Sequence, residues 1–259
     1  MAKKNYDCSY SNPFDDILYN GQETEYELSS KENSLPNLLQ SPSPFNNNPF
    51  SVENFPFGPI PPLVGSMSQD FTAQAIMPDD SEVDNFNLKK YLKKSYGVLI
   101  FYPANFTFVC PSELIAFNNR MKEFETLNTK IVAISVDSKF SHLTWKSIPV
   151  EKGGIENIKF PLVSDITHTI SQNFRLLSPE GYALRGTVIL DKKGKIIHQS
   201  VNDLPIGRNP EEILRIISAY QHYELTDEVC PTGWKKGQRG IAKNQQATKE
   251  YMAKNHKKI

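Results

Sequence analysis

Four short, largely apolar runs mark the chain beyond residue 97: VLIFY at 98–102, IVAISVD at 131–137, TVILD at 187–191 and KIIHQSV at 195–201. Continuous runs of this length suit strands that are covered on both faces. An earlier segment, FTAQAIM at 71–77, alternates like a strand and ends at the turn MPDD. The connection Asp191-Lys-Lys-Gly194 is short and closed by glycine, which predicts a hairpin of the last two runs. Helical spacing fills the intervals. Leu114, Phe117, Met121 and Phe124 fall at steps of three and four and form one apolar stripe. Pro210-Glu-Glu followed by ILRIISAY predicts a helix with proline near its first position and acids in its first turn. Strands alternating with helices and ending in a hairpin predict an α/β fold with a central sheet flanked by helices on both faces. No apolar run reaches the roughly 18 residues that a membrane crossing needs.

Composition divides the chain near residue 63. Residues 1–62 hold nine of the 18 prolines, nine asparagines, and eight acidic residues against three lysines. The net charge of that stretch is −5, and since the whole chain is neutral the remainder carries +5. Patches such as SPSPFNNNPF and FPFGPIPP sustain neither a helix nor a central strand. Residues 1–62 are therefore expected to be a disordered or extended arm. The expected domain is 63–225, followed by a C-terminal arm at 226–259. The N-terminus has an early lysine pair but no apolar segment after it, and no arginine occurs in the acidic arm. Neither a secretory signal nor a mitochondrial presequence is expected, and the default compartment is the cytoplasm or nucleus.

Three cysteines, Cys8, Cys110 and Cys230, are too few and too scattered for a disulfide scaffold. The five histidines form no ligand-like pair with them, so no metal and no cofactor is expected. Cys8 lies in the arm and reads as a bystander thiol. The basic end KNHKKI reads as a solvated helix end, and no nucleic-acid or membrane partner is expected.

Cys110 has the most informative setting. Pro103 ends the strand VLIFY, Thr107 stands as a candidate helix cap, and Pro111 fits the first turn of the helix that carries the Leu114 stripe. Cys110 would then sit at a helix N-terminus, where the dipole and free N–H groups favour an anion. A thiolate there is a nucleophile; a simply packed thiol remains the alternative.

The residues around Cys110 decide between these. FYPANFTFVCPSE closely resembles the active-site motif of the peroxiredoxins, P-x-x-x-T/S-x-x-C, here Pro103, Thr107 and Cys110. VCPTGWKKG at 229–237 resembles the segment around the resolving cysteine of typical 2-Cys peroxiredoxins, here Cys230. ISVDSKFSHLTW, FPLVSD, LRGTVILD and DLPIGR match further segments in order, so the resemblance runs from about residue 63 to the C-terminus. It implies a thioredoxin-like fold and reduction of hydrogen peroxide and organic hydroperoxides. By the same resemblance Cys110 is the peroxidatic nucleophile and Thr107 bonds its sulfur and the peroxide. Arg185 holds the thiolate and polarises the peroxide, Pro103 shields the site, and Glu113 and Arg208 support Arg185. Cys230 is implied to resolve the sulfenic acid by an intersubunit disulfide with Cys110. That disulfide would be reduced by thioredoxin or a related dithiol protein. The implied assembly is a homodimer, with five dimers closing into a ring as the usual form.

Two signatures that the family associates with overoxidation depart from pattern. The GGLG loop reads Gly153-Gly154-Ile155-Glu156, and the C-terminal YF pair reads Tyr251-Met252. Intermediate sensitivity to sulfinylation is expected. An oligomeric holdase chaperone or peroxide-signal relay is the alternative function. A scaffold whose arm recruits partners is disfavoured by the retention of Thr107, Cys110, Arg185 and Cys230. A Cys–His hydrolase fits poorly, because His142 reads only as a helix residue.

Overall fold

The computed structural model describes residues 62–257 and residue 259. The expectations for residues 1–61, including Cys8, lie outside the described residues.

A seven-stranded mixed sheet organises the fold, with strand order β2-β1-β5-β4-β3-β6-β7. The apolar runs supply its middle: β3 (Tyr96–Phe101), β4 (Thr129–Ser135), β6 (Arg185–Leu190) and β7 (Ile196–Asn202). β3 and β6 are buried along their whole length, as strands covered on both faces must be. β3 runs parallel to β4, with Val98 opposite Ile131, and antiparallel to β6, with Val98 opposite Ile189. The β6–β7 hairpin turns where expected. Gly194 takes a φ of 87°, which glycine adopts without steric cost, and the Asp191 carboxylate accepts the amides of Lys193 and Lys195.

Two strands were not evident from pattern. β2 (Glu82–Asn87) is an edge strand whose EVDNFN sequence is mostly polar, and β5 (Leu162–Ser164) is three residues long. β1 (Thr72–Ile76) joins both, antiparallel to each.

One face of the sheet is covered by α2 (Cys110–Asn119), α3 (Met121–Thr126), α4 (Lys139–Lys146) and α6 (Pro210–Thr226). The other packs against α1 (Leu88–Leu92) and α5 (Thr169–Asn173) around Phe101, Phe174 and Leu176. Helix α6 begins as expected, with Pro210 in its first turn, Glu211 and Glu212 beside it, and the Asn209 side chain accepting the Glu211 amide. The stripe Leu114, Phe117, Met121, Phe124 is fully on the core side, but it belongs to two helices rather than one. The break falls at Arg120. Asn118 before it turns its amide outward to Asn157 and Lys159, and Arg120 pairs with Glu123 and Glu211. Asparagine competes with the helix backbone for such bonds, so the helix stops and restarts. Helix α7 (Gln245–Asn255) closes the described chain and buries none of its residues.

Candidate active site

The site forms where β3 ends and α2 begins. Cys110 is the first residue of α2, and its side chain is wholly buried. Pro111 follows in the first turn, where its missing N–H has no intrahelical partner. The expected cap is not Thr107. Position N-cap belongs to Val109, which has no side-chain bond to offer, and the Thr107 hydroxyl donates instead to the Ala104 carbonyl at 3.0 Å. The physical reason is a tight turn at Asn105-Phe106: it brings Thr107 back onto Ala104 and leaves the helix to start two residues later. The first-turn N–H groups of α2 lack a side-chain cap, and Cys110 stands at the positive end of the helix.

Arg185, the first residue of β6, reaches the sulfur. Its Nη1 lies 3.2 Å from Cys110 Sγ and 2.7 Å from Glu113 Oε2, and its Nε donates to the Leu204 carbonyl at 2.6 Å. Glu113 comes from α2 one turn after Cys110, and its side chain is fully buried. Arg208 completes the group from the loop before α6. Its Nε and backbone N–H donate to Glu113 Oε1 at 2.8 and 3.0 Å, and its Nη2 to Oε2 at 3.0 Å. Arg208 Nη1 donates to the carbonyls of Phe101 and Gly186. One buried carboxylate thus anchors two guanidinium groups, and three separate segments meet at Cys110. Two arginines and one glutamate leave an excess positive charge beside the sulfur in a dry site, an arrangement that favours an anion there.

Cys110, Glu113, Arg185 and Arg208 are therefore brought together by direct contacts, while Pro103 and Thr107 lie in the segment that leads from β3 to Cys110. Pro103 is buried between β3 and the Cys110 turn. Cys230 is not part of this cluster. It follows α6 and is partly buried, and its Sγ donates to the Ala219 carbonyl at 3.4 Å. Burial raises the pKa of the Cys230 thiol, with nearby Glu228 adding to the effect and Arg215 opposing it. Cys110 and Cys230 are both free thiols.

A second polar cluster behind Cys110 was missed in sequence. Tyr102, the residue after β3, donates through its hydroxyl to Asn105 Oδ1 at 2.9 Å. Asn105 Nδ2 lies 3.1 Å from His142 Nδ1, and the Asn105 amide donates to Asp137 Oδ2 at 2.9 Å. His142 Nε2 faces the Val163 carbonyl at 3.3 Å. A carbonyl only accepts, so Nε2 carries the proton and Nδ1 is the acceptor. Burial drives His142 down to about 4, so the ring is neutral at pH 7, and burial also keeps the Tyr102 phenol protonated. His142 does lie on a helix, α4, as expected, but as a buried hydrogen-bonding group rather than an inert one. Among the described residues no group of three or more His, Cys, Asp or Glu is placed to hold a metal ion.

The overoxidation-related segments are also placed. Gly154 packs so closely that a Cβ there would lie 1.9 Å from the Ile148 carbonyl oxygen, while Ile155 is buried in the same core cluster as Cys110. Glu156 is half-buried, and Met252 on α7 is 43% exposed.

With this geometry in view, known proteins of similar sequence and structure fall into one group. The AhpC/TSA family model matches residues 64–199, and the model of the C-terminal domain of 1-Cys peroxiredoxin matches residues 219–254. A chloroplastic 2-Cys peroxiredoxin BAS1 of Hordeum vulgare is 48% identical over 193 residues, 74% of this chain and 91% of that protein. Alkyl hydroperoxide reductase C of Helicobacter pylori is 43% identical over 197 residues, 76% of this chain and all of that protein. The crystal structure of reduced Plasmodium vivax 2-Cys peroxiredoxin superposes with a TM-score of 0.72 at 42% identity, covering 74% of this chain and 100% of that one. Among the described residues no helix is long and apolar enough to cross a membrane. The chain belongs to the AhpC/TSA family of peroxiredoxins and is a peroxide-reducing peroxidase of thioredoxin-like fold.

Proposed function

We propose that Cys110 is the nucleophile and that Cys230 resolves the product. The observation that carries this reading is the Arg185 guanidinium, 3.2 Å from the sulfur and locked in place by Glu113. In the first step the Cys110 thiolate attacks the terminal oxygen of a hydroperoxide. An S–O bond forms, the O–O bond breaks, and the leaving oxygen departs as water or an alcohol after taking a proton. Negative charge grows on that oxygen, and Arg185 supplies a fixed donor for it without reorganisation at the moment of reaction. The Thr107 hydroxyl already donates to Ala104, so its lone pairs are what it offers to the O–H of the incoming peroxide. Pro103 keeps bulk water from the sulfur. Glu113 and Arg208 hold Arg185 in its working geometry.

The sulfenic acid then condenses with the Cys230 thiol of a second subunit, forming a disulfide and releasing water. Thioredoxin or a related dithiol protein reduces the disulfide and regenerates both thiols. A head-to-tail homodimer satisfies this cycle, with closure of five dimers as the larger assembly. The catalytic domain is residues 63–225, and residues 226–259 are the arm that presents Cys230. Two free thiols suit a reducing compartment, and we place the protein in the cytoplasm.

The test is peroxide consumption with a thioredoxin system by wild type, Cys110→Ser and Cys230→Ser. Loss in both variants, each running as a monomer on non-reducing gels where wild type gives a disulfide-linked dimer, is the expected result. Activity surviving Cys230→Ser would mean a one-cysteine cycle, and activity surviving Cys110→Ser would overturn the assignment of the nucleophile.

A further inference from the structure

The turn that precedes Cys110 carries a backbone conformation its residue does not favour. Phe106 has φ 58°, in the left-handed region. Among the described residues, seven other non-glycine residues share a positive φ. Asp80, Asn128, Asn157, His168 and Asp227 are residue types that tolerate it, and Lys93 and Arg175 stand at the ends of short helices. Phe106 has neither excuse. It lies four residues before Cys110, between two fixed neighbours. Asn105 is tied through its backbone to Asp137 and through its side chain to Ser141 and His142, and Thr107 is bonded back to Ala104. The turn is closed on both sides of a residue that its own sterics would open.

The Phe106 ring has one aromatic seat. It packs on Trp145 with centroids 5.9 Å apart, yet 54% of the residue remains exposed. Phe108, two positions on, is 99% exposed among the described residues. Trp145 is wholly buried, also packs against Tyr102, and donates through Nε1 to the Gly153 carbonyl at 3.0 Å. Its own carbonyl accepts the Ile155 amide. The Gly153–Glu156 loop and the Cys110 turn therefore meet on one indole ring.

We propose that Phe106 is a positioning residue whose ring, seated on Trp145, holds the Cys110 turn closed against its own backbone strain. The balance of the two sets how often the turn opens. The inference rests on the two-cysteine reading above, since opening matters when a buried sulfenic acid must meet the Cys230 thiol. A closed turn leaves the sulfenic sulfur to a second peroxide, whose terminal oxygen it takes to become sulfinic acid while water or alcohol departs. An open turn lets it condense with Cys230. Phe106 thereby controls the partition between disulfide and sulfinic acid without touching the reacting atoms. The loop bearing Glu156 acts on the same partition through Trp145.

The test compares the full-length wild type, Phe106→Ala and Phe106→Gly. Alanine removes the ring and keeps the strain, whereas glycine removes both. Amide hydrogen exchange over residues 104–110, corrected for intrinsic rates, is expected to quicken about tenfold in the alanine variant, the effect of losing one aromatic seat. In the glycine variant the gain should fall back by about fivefold, because glycine occupies the left-handed region freely. The sulfinic-to-disulfide ratio at fixed peroxide should drop in the same order, while the rate of the first peroxide step stays within about twofold of wild type. Unchanged exchange in Phe106→Ala, or exchange in Phe106→Gly as fast as in Phe106→Ala, would overturn the proposal. The expected exchange order in a wild type that forms no Cys110–Cys230 disulfide would overturn the partition role through the two-cysteine reading itself.

Discussion

Replacing Glu113 by glutamine separates what the buried charge group does for stability from what it does for chemistry. The Glu113 carboxylate accepts four hydrogen bonds: Oε1 from the Arg208 backbone and Nε, Oε2 from Arg185 Nη1 and Arg208 Nη2. Glutamine keeps one carbonyl oxygen. Its amide nitrogen must then point at donors, on the Oε1 side or the Oε2 side, and two of the four bonds are lost whichever way it turns. Each bond to a charged group is worth about 1.5–3 kcal/mol, so the loss is about 3–6 kcal/mol. An independent expectation, about 3–5 kcal/mol for removing one partner of a buried ion pair, falls in the same range. Two guanidinium groups with little access to solvent are left without their anion.

Urea denaturation at equal protomer concentration checks the magnitude, since any oligomer makes stability depend on concentration. The expected result is a midpoint shift equivalent to about 3–5 kcal/mol with an unchanged slope. Kinetics provide the second readout. Arg185 loses its strongest anchor, and misplacing one preorganised donor costs about 10²–10³ in rate. Under conditions where the variant is still folded, its reaction with peroxide should fall by about that factor. A Glu113→Gln protein within about 1 kcal/mol of wild type would refute the reasoning, because it would mean that water or relaxation satisfies the arginines at little cost.

Other outcomes follow from particular contacts. Gly154→Ala places a methyl group against the Ile148 carbonyl oxygen, so calorimetry should show a clear loss of stability, about 2 kcal/mol or more. Glu156→Gly combined with Met252→Phe restores the two altered signatures and should raise sulfinylation at low peroxide, read by mass spectrometry of Cys110; no change would remove both residues from the account of sensitivity. Because burial raises the pKa of the Cys230 thiol, disulfide formation after a peroxide pulse should quicken with pH up to and beyond pH 9, about tenfold per unit where the thiol limits the rate. Burial depresses His142 to about 4 from its ordinary value of 6.5. The unfolded chain therefore binds the extra proton first, and stability should fall as pH drops from about 6.5 to about 4, by roughly 3 kcal/mol in all. His142→Gln should flatten urea midpoints across that window.

What the sequence made legible depended on whether a feature was local. β3, β4 and β6 were readable because a strand covered on both faces must be largely apolar, as the runs at 98–102, 131–137 and 187–191 are, while β7, a half-buried edge strand, was readable through its short hairpin to β6. β2 escaped because an edge strand owes its existence to its neighbour, and Val83 and Phe86 are the only large apolar residues in EVDNFN. The stripe through Phe124 was correctly oriented, while the break at Arg120 goes with bonds from Asn118 to Asn157 and Lys159, some forty positions away, which local spacing does not show. The cap failed for a related reason: Thr107 had the right chemistry, but the turn at Phe106 aimed it at Ala104. Cys110 was found through its motif. Nothing in the spacing of Glu113, Arg185 and Arg208 says that they meet, and for these the resemblance to the peroxiredoxins supplied what physical reading could not.

Burial is the property that joins the catalytic and conformational halves of the site. Cys110 is wholly enclosed and Glu113 beneath it is nearly so. Enclosure strengthens each charge interaction at the sulfur, because a guanidinium 3.2 Å away in a dry site acts far more strongly than it would in water. The same enclosure excludes any second thiol. A hydroperoxide is small enough to enter where a protein cysteine is not, so the arrangement that speeds the first step also forbids the second until the turn opens. Rate at the sulfur and readiness to open are thus set against each other by one set of contacts. The sequence departures at Glu156 and Met252 fall outside the Glu113–Arg185–Arg208 group. Glu156 closes the loop that meets the Cys110 turn on Trp145, so a change in that loop can alter the contacts around the turn without touching the arginine group.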